Sequence, residues 1–179
     1  MAAQLVRRIA VVGAESTGKT SLVQALSEQV SAVVVPEQLR QFVEQHGRAP
    51  TQSEQTPLMQ EQIRAEEAAV EQAASLGYRF VLCDSSAIMT AVYSHVYFGD
   101  RTLYDAALAY HRTMDLTLFC QPDLPWVADP GQRDGPDIQR TVHECLADWL
   151  GDLDAPLVPI VGAGDSRVRL ALRAMAALH

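Results

Sequence analysis

The sequence predicts an α/β fold, a parallel sheet with helices on both faces, and three observations carry that expectation. Short apolar runs alternate with longer segments of helical period. A glycine-rich stretch, GAESTGKT from Gly13 to Thr20, stands directly behind the apolar run IAVV and in front of the helix-like LVQAL. The chain has 179 residues, 48% of them hydrophobic, which suffices for one ordinary core without staples. No internal repeat, low-complexity tail or linker interrupts it, so a single domain over residues 1–179 is expected.

The elements follow in order. In MAAQLVRRIAVVG the apolar segment is short and runs straight into the glycines, so Arg8–Val12 reads as a first strand rather than part of a signal peptide. A helix over Gly18–Val30 opens at the glycine motif. Ala32–Pro36 is the second strand, limited by its proline, and a short helix carrying Glu37 and Arg40 comes next. Ser53–Ser75 is rich in Glu, Gln and Ala, with Met59, Ile63, Val70 and Ala74 spaced to share one face of an amphipathic helix that packs on the domain or on another subunit. Arg79–Asp84, Leu116–Cys120 and Leu157–Val161 supply the remaining strands. Asp137–Leu150 returns to helical period, and Ser166–Leu178 is a closing helix. Between them Gln121–Pro136 breaks the rhythm with four prolines, two glycines and a tryptophan, and reads as a surface connection or a lid.

Charge narrows the function classes. With 22 acidic residues against 14 basic ones, the net charge of −8 argues against a chain that coats nucleic acid. It leaves room for a small polyanion in a locally positive pocket. Nothing approaches the roughly 18 consecutive apolar residues of a membrane span, so a soluble cytoplasmic protein is the default. Cys83, Cys120 and Cys145 are widely spaced in apolar contexts and are expected to be reduced core residues.

GAESTGKT fits G-x-x-x-x-G-K-[ST]. Converging backbone N–H groups and a helix N-terminus bind a phosphate chain, and Gly13 and Gly18 let the backbone turn tightly against it. Ala14, Glu15, Ser16, Thr17 and Ser21 complete the nucleotide-contacting stretch. Lys19 reaches the β- and γ-phosphates, and the Thr20 hydroxyl is a ligand for Mg²⁺. Asp84 ends the run FVLCD at the carboxyl end of a strand, where ligands of open α/β sheets collect. It is either the acid that organises magnesium, the base for an attacking hydroxyl, or a plain helix cap. Glu37 follows VVVP three residues before Arg40. The two can face an acceptor, as acid and cation, or form a surface ion pair.

In order along the chain, GAESTGKTSL, PEQLRQF, DSSAIMTAVYSHVYFG and QPDLPWVADPGQRDG resemble the ribosylnicotinamide kinase domain of bacterial NadR proteins and related stand-alone P-loop kinases. The resemblance runs from about residue 8 to residue 173. It implies a nucleoside-kinase-like P-loop fold with a five-stranded parallel sheet, and ATP and Mg²⁺ as cofactors. The implied reaction moves the γ-phosphoryl group to the 5′-hydroxyl of nicotinamide riboside, giving nicotinamide mononucleotide for NAD salvage. Gln121–Pro136 becomes a lid in which Trp126 stacks on a flat ring, Arg133 with Arg140 reaches the transferring phosphate, and Asp129 orients the arginines or a ribose hydroxyl. Gly164 and Arg167, after the last strand, stand where such kinases place an adenine-contacting loop. Two features depart from the family pattern: the third strand ends Asp84-Ser85-Ser86 rather than D-T-D, and ADPGQRDG shifts the lid arginine by about one residue. A kinase for another nucleoside or sugar, or a nucleotide-switched ATPase that binds a protein partner, shares the same phosphate loop.

Overall fold

A computed structural model of the chain describes residues 5–127 and 135–178. In chain order the elements are β1 (Arg7–Val12), α1 (Lys19–Ser27), β2 (Ala32–Val35), α2 (Gln38–His46), α3 (Gln52–Leu76), β3 (Phe80–Asp84), α4 (Ala87–Phe98), α5 (Tyr104–His111), β4 (Leu116–Cys120), α6 (Pro136–Gly151), β5 (Leu157–Ile160) and α7 (Asp165–Ala176). The five strands form one parallel sheet in the order β2-β3-β1-β4-β5. Each expected strand is present to within a residue at either end.

The sheet sorts side chains by the two-residue period of a strand. From β1, Ala10 and Val12 point into a core shared with Met59, Ile88, Leu146 and Trp149 from α3, α4 and α6. Ile9 and Val11 point the other way, to Leu22 and Leu26 of α1 and Met175 of α7. With helices on both faces, the central strands are mostly apolar, and β3 and β4 are buried at every position, Asp84 and Thr117 included. The edge strands β2 and β5 are partly exposed, and β5 accommodates Pro159 as an edge strand can.

Two findings differ from the sequence expectation. The stretch between Asp84 and β4 builds two helices, α4 within the motif and α5 beyond it, that the period of the sequence did not reveal. In α4 six consecutive residues, Ala87 to Val92, are buried, so no polar face marks the helix. In α3 the buried stripe runs through Gln55, Met59, Gln62, Glu66, Ala69 and Ala73, leaving Ala74 exposed. Met59, Ile63 and Val70 of the expected face do pack on the core, but the most deeply buried stripe is shifted to one side of them and carries polar side chains. Thr51 and Glu54 start α3 with a reciprocal capping box.

Strand order reverses at β1, which lies between β3 and β4 while β2 lies beyond β3. The carboxyl ends of β1, β2 and β3 thus open into one crevice. Cys83 and Cys120 are buried and Cys145 half-buried, all three free thiols as expected.

Candidate functional site

The loop between β1 and α1 wraps around the space in front of the helix. Gly13 is required by close approach: a Cβ there would stand 2.7 Å from Thr17 Oγ1 and 2.8 Å from the Cys120 carbonyl oxygen. Gly18 caps α1 in the left-handed region, with φ of 78°. Ser16, also left-handed at φ of 58°, holds a strained turn that the loop must stabilise elsewhere. The Ala14 carbonyl accepts hydrogen bonds from Thr17 Oγ1 at 2.7 Å and Lys19 Nζ at 2.9 Å. Lys19 is only 8% exposed, and its ammonium is folded back across the mouth of the loop.

On the adjacent strand, Asp84 stands over the start of α1. Its Oδ2 accepts from Thr20 Oγ1 at 2.7 Å, while Oδ1 is buried with no partner. A hydroxyl and a carboxylate with one free oxygen are the hard-oxygen ligands that suit magnesium, which uses few protein ligands and completes its shell with phosphate and water. Among the described residues no group of three His, Cys, Asp or Glu could hold a metal by itself, so the nucleotide would have to supply the rest.

Glu37 is the N-cap residue of α2 but makes no side-chain cap bond. Its carboxyl shares the field of Lys19, Asp84, Ser85 and Arg40. Burial pushes its pKa up, offset in part by Lys19 and reinforced by Asp84. The structure therefore brings Lys19, Thr20, Asp84 and Glu37 together from β1–α1, β3 and the β2–α2 junction. Arg40 lines the cavity of about 430 Å³ formed with Ser16 to Ser21, Leu124, Pro125 and Val127.

The described segment after β4, residues 121–127, lies over the phosphate loop. Val127 N donates to Ser16 Oγ at 2.9 Å, and Leu124 comes within reach of Gly18. Trp126 is half-buried, its indole N–H enclosed without a partner, and its neighbours line the cavity. Gln139 of α6 donates to the Glu15 carbonyl at 2.8 Å, an anchor that sequence reasoning missed because a lone glutamine carries no motif. Asp129 and Arg133 lie outside the described residues. Arg140 pairs with Asp137 at 2.8 Å on an exposed stretch of α6 and does not line the cavity.

The late loop, expected to contact adenine, leads into α7, which carries Arg167 in its first turn. Arg167 is 4% exposed and spends its donors on protein oxygens: Nε on the Gly162 carbonyl at 2.7 Å, Nη1 on the Thr17 carbonyl, and Nη2 on the Gln121 carbonyl at 2.9 Å and on Asp123. It clamps the phosphate loop to the ends of β4 and β5. Gly164 caps α7 in an unusual conformation with open space around its Cα.

A glycine loop behind a strand, a lysine at its mouth and a serine/threonine–aspartate pair define a P-loop nucleotide-binding domain. The chain belongs to the family described as an AAA domain, which matches residues 8–167. None of the curated proteins matches the sequence significantly. Among solved structures, a NadR protein in complex with nicotinamide riboside (NR) superposes with a TM-score of 0.73 at 23% identity, covering 97% of this chain and 52% of that one. A NadR protein in complex with NAD and AMP-PNP gives 0.71 at 22%, covering 97% and 49%. The chain thus spans about half the length of the NadR proteins it matches. Deoxyadenosine kinase from M. mycoides with bound dATP gives 0.64 at 12% identity over 96% of this chain and 100% of that one. Thymidylate kinase from Ehrlichia chaffeensis gives 0.65 at 14% over 98% and 100%. At these identities the likeness establishes the fold, that of nucleoside and nucleotide kinases, in agreement with the resemblance carried by the motifs.

Proposed function

We propose that the chain is an ATP- and Mg²⁺-dependent phosphotransferase acting on the 5′-hydroxyl of a nucleoside, with nicotinamide riboside as acceptor and nicotinamide mononucleotide as product, a salvage step toward NAD. The observation that carries this reading is the placement of the Glu37 carboxyl beside Lys19 and Asp84. Held apart from the Thr20–Asp84 pair, that carboxyl is available to take a proton from an attacking hydroxyl, and the motif resemblance makes that hydroxyl the riboside's rather than water's.

The division of labour follows from the contacts. Lys19 exchanges the Ala14 carbonyl for the β- and γ-phosphate oxygens, and the loop N–H groups hold the rest of the chain. Thr20 and Asp84 would hold magnesium, which when bound neutralises charge on the β- and γ-oxygens. Because Asp84 is engaged with Thr20, Glu37 is the residue we assign as base. It accepts the 5′-hydroxyl proton as the bond from O5′ to Pγ forms and the bond from Pγ to the bridging oxygen breaks, releasing ADP. Arg133 is assigned, on the family resemblance, to the transferred phosphate. Trp126 is assigned to the flat ring of the acceptor, and closing the lid excludes water.

A coupled ADP assay over a panel of nucleosides tests this. Nicotinamide riboside should be turned over, and Lys19→Ala should lower kcat by about 10²-fold or more, as loss of one aimed donor does. Because burial raises the Glu37 pKa, the acid limb of kcat against pH should lie above the ordinary carboxylate range and disappear in Glu37→Gln. ATP hydrolysis that no acceptor stimulates would sink the kinase reading. Turnover of other nucleosides but not this one would keep it and change the acceptor.

A further inference from the structure

α2 buries no residue, so apolar packing does little to hold it, yet Glu37 is the residue from which it starts. The first amides of a helix need acceptors from outside the helix, and the Glu37 side chain supplies none. A residue of α3 does so instead: Gln38 N donates to Gln62 Oε1 at 2.9 Å. Gln62 in turn donates from Nε2 to Glu66 Oε1 at 2.9 Å, and the two are 2% and 0% exposed.

Two buried polar side chains one turn apart are costly unless their bonds close. Here both bonds close in only one orientation of the Gln62 amide, with its oxygen toward Gln38. Glu66 sets that orientation by presenting Oε1 as an acceptor. A protonated Glu66 can carry its hydrogen on Oε2, so the relay holds in either charge state.

We propose that Gln62 and Glu66 are positioning residues for the acceptor side: together they cap α2 from α3 and fix where Glu37 stands over the phosphate loop. The consequence for turnover rests on the kinase reading above, whereas the capping does not.

The test uses the full chain and two independent readouts. Hydrogen exchange followed by NMR should find the Gln38 amide better protected than that of Leu39, the next first-turn amide. Gln62→Met should reduce Gln38 protection about ten-fold, the size of one net hydrogen bond. Glu66→Gln, which keeps an acceptor oxygen in place, should retain it. In the nucleoside assay Gln62→Met should lower kcat/KM for the acceptor by about ten-fold while KM for ATP stays unchanged, and Glu66→Gln should stay near the parent. Equal protection of Gln38 and Leu39 in the parent chain overturns the relay even if Gln62→Met does not fold. Lost protection with unchanged acceptor turnover overturns the positioning role. Failure of every nucleoside as acceptor overturns the kinase reading instead, and Gln38 protection still decides the relay.

Discussion

At Glu66 one carboxyl oxygen is bonded to Gln62 and the other is buried without a partner. Burial lifts its pKa from 4.5 to about 7, and the nearby Ser86 and Tyr110 hydroxyls lower it without closing a bond to the orphaned oxygen. Between those two values the native state holds a proton that the unfolded chain releases. The stability this group contributes is therefore present below about pH 4.5 and is lost as pH rises through about 7. Glu66→Gln removes that dependence. Thermal melts of the variant minus those of the parent should become more favourable to the variant from about pH 5 to about pH 8, and a difference that does not change with pH would refute the argument. Gln62 and Glu66 were not legible as site-related residues, because polar side chains at helical spacing read as a solvated face. Lys19 and Thr20 were legible because the phosphate-loop motif ties residue type to spacing, and Asp84 because it closes an apolar strand run.

The helices behave differently from the strands in what they disclose. β1, β3 and β4 are built around the short apolar runs IAVV, FVLC and LTLFC, the last broken only by Thr117, so their sequences mark where the strands lie. α4 hides for the opposite reason, being buried on too many sides to show a period. For α7 the sequence shows a closing helix, while only the structure shows what its Arg167 does. Four acceptors from three segments meet one guanidinium, a geometry that a lysine ammonium on a flexible stem does not reproduce. Arg167→Lys should cost roughly 1–3 kcal/mol through the carbonyls left unsatisfied. It should also weaken ATP binding, because the Thr17 carbonyl belongs to the phosphate loop. Denaturant unfolding and nucleotide titration separate the two effects. A destabilised variant with unaltered ATP affinity would show that the clamp serves the fold alone.

Over the whole molecule, the loop is tied to β3 through Thr20 and Asp84, to β4 and β5 through Arg167, and to α6 through Gln139. A ligand that fills it should stabilise the domain as a unit. At 100 times its dissociation constant, Mg·ATP is expected to add about 2.7 kcal/mol to unfolding stability, whereas Mg²⁺ alone should add little. Thermal melts with each addition check this, and a large rise with the metal alone would reveal a metal site independent of nucleotide. The acidic surface poses no obstacle, since the lysine is enclosed and its immediate field is local. No helix among the described residues is long and apolar enough to cross a membrane.

The order β2-β3-β1 has a geometric consequence of its own. Glu37 leaves the end of β2 and the phosphate loop leaves the end of β1, with β3 between them, so two strand spacings, about 10 Å, separate the supports of the two groups. The sheet thus fixes the spacing between the two supports. If the proposed kinase reading holds, substitutions in α2 and α3 should alter KM for the acceptor while KM for ATP, set at the β1 end, stays as it is.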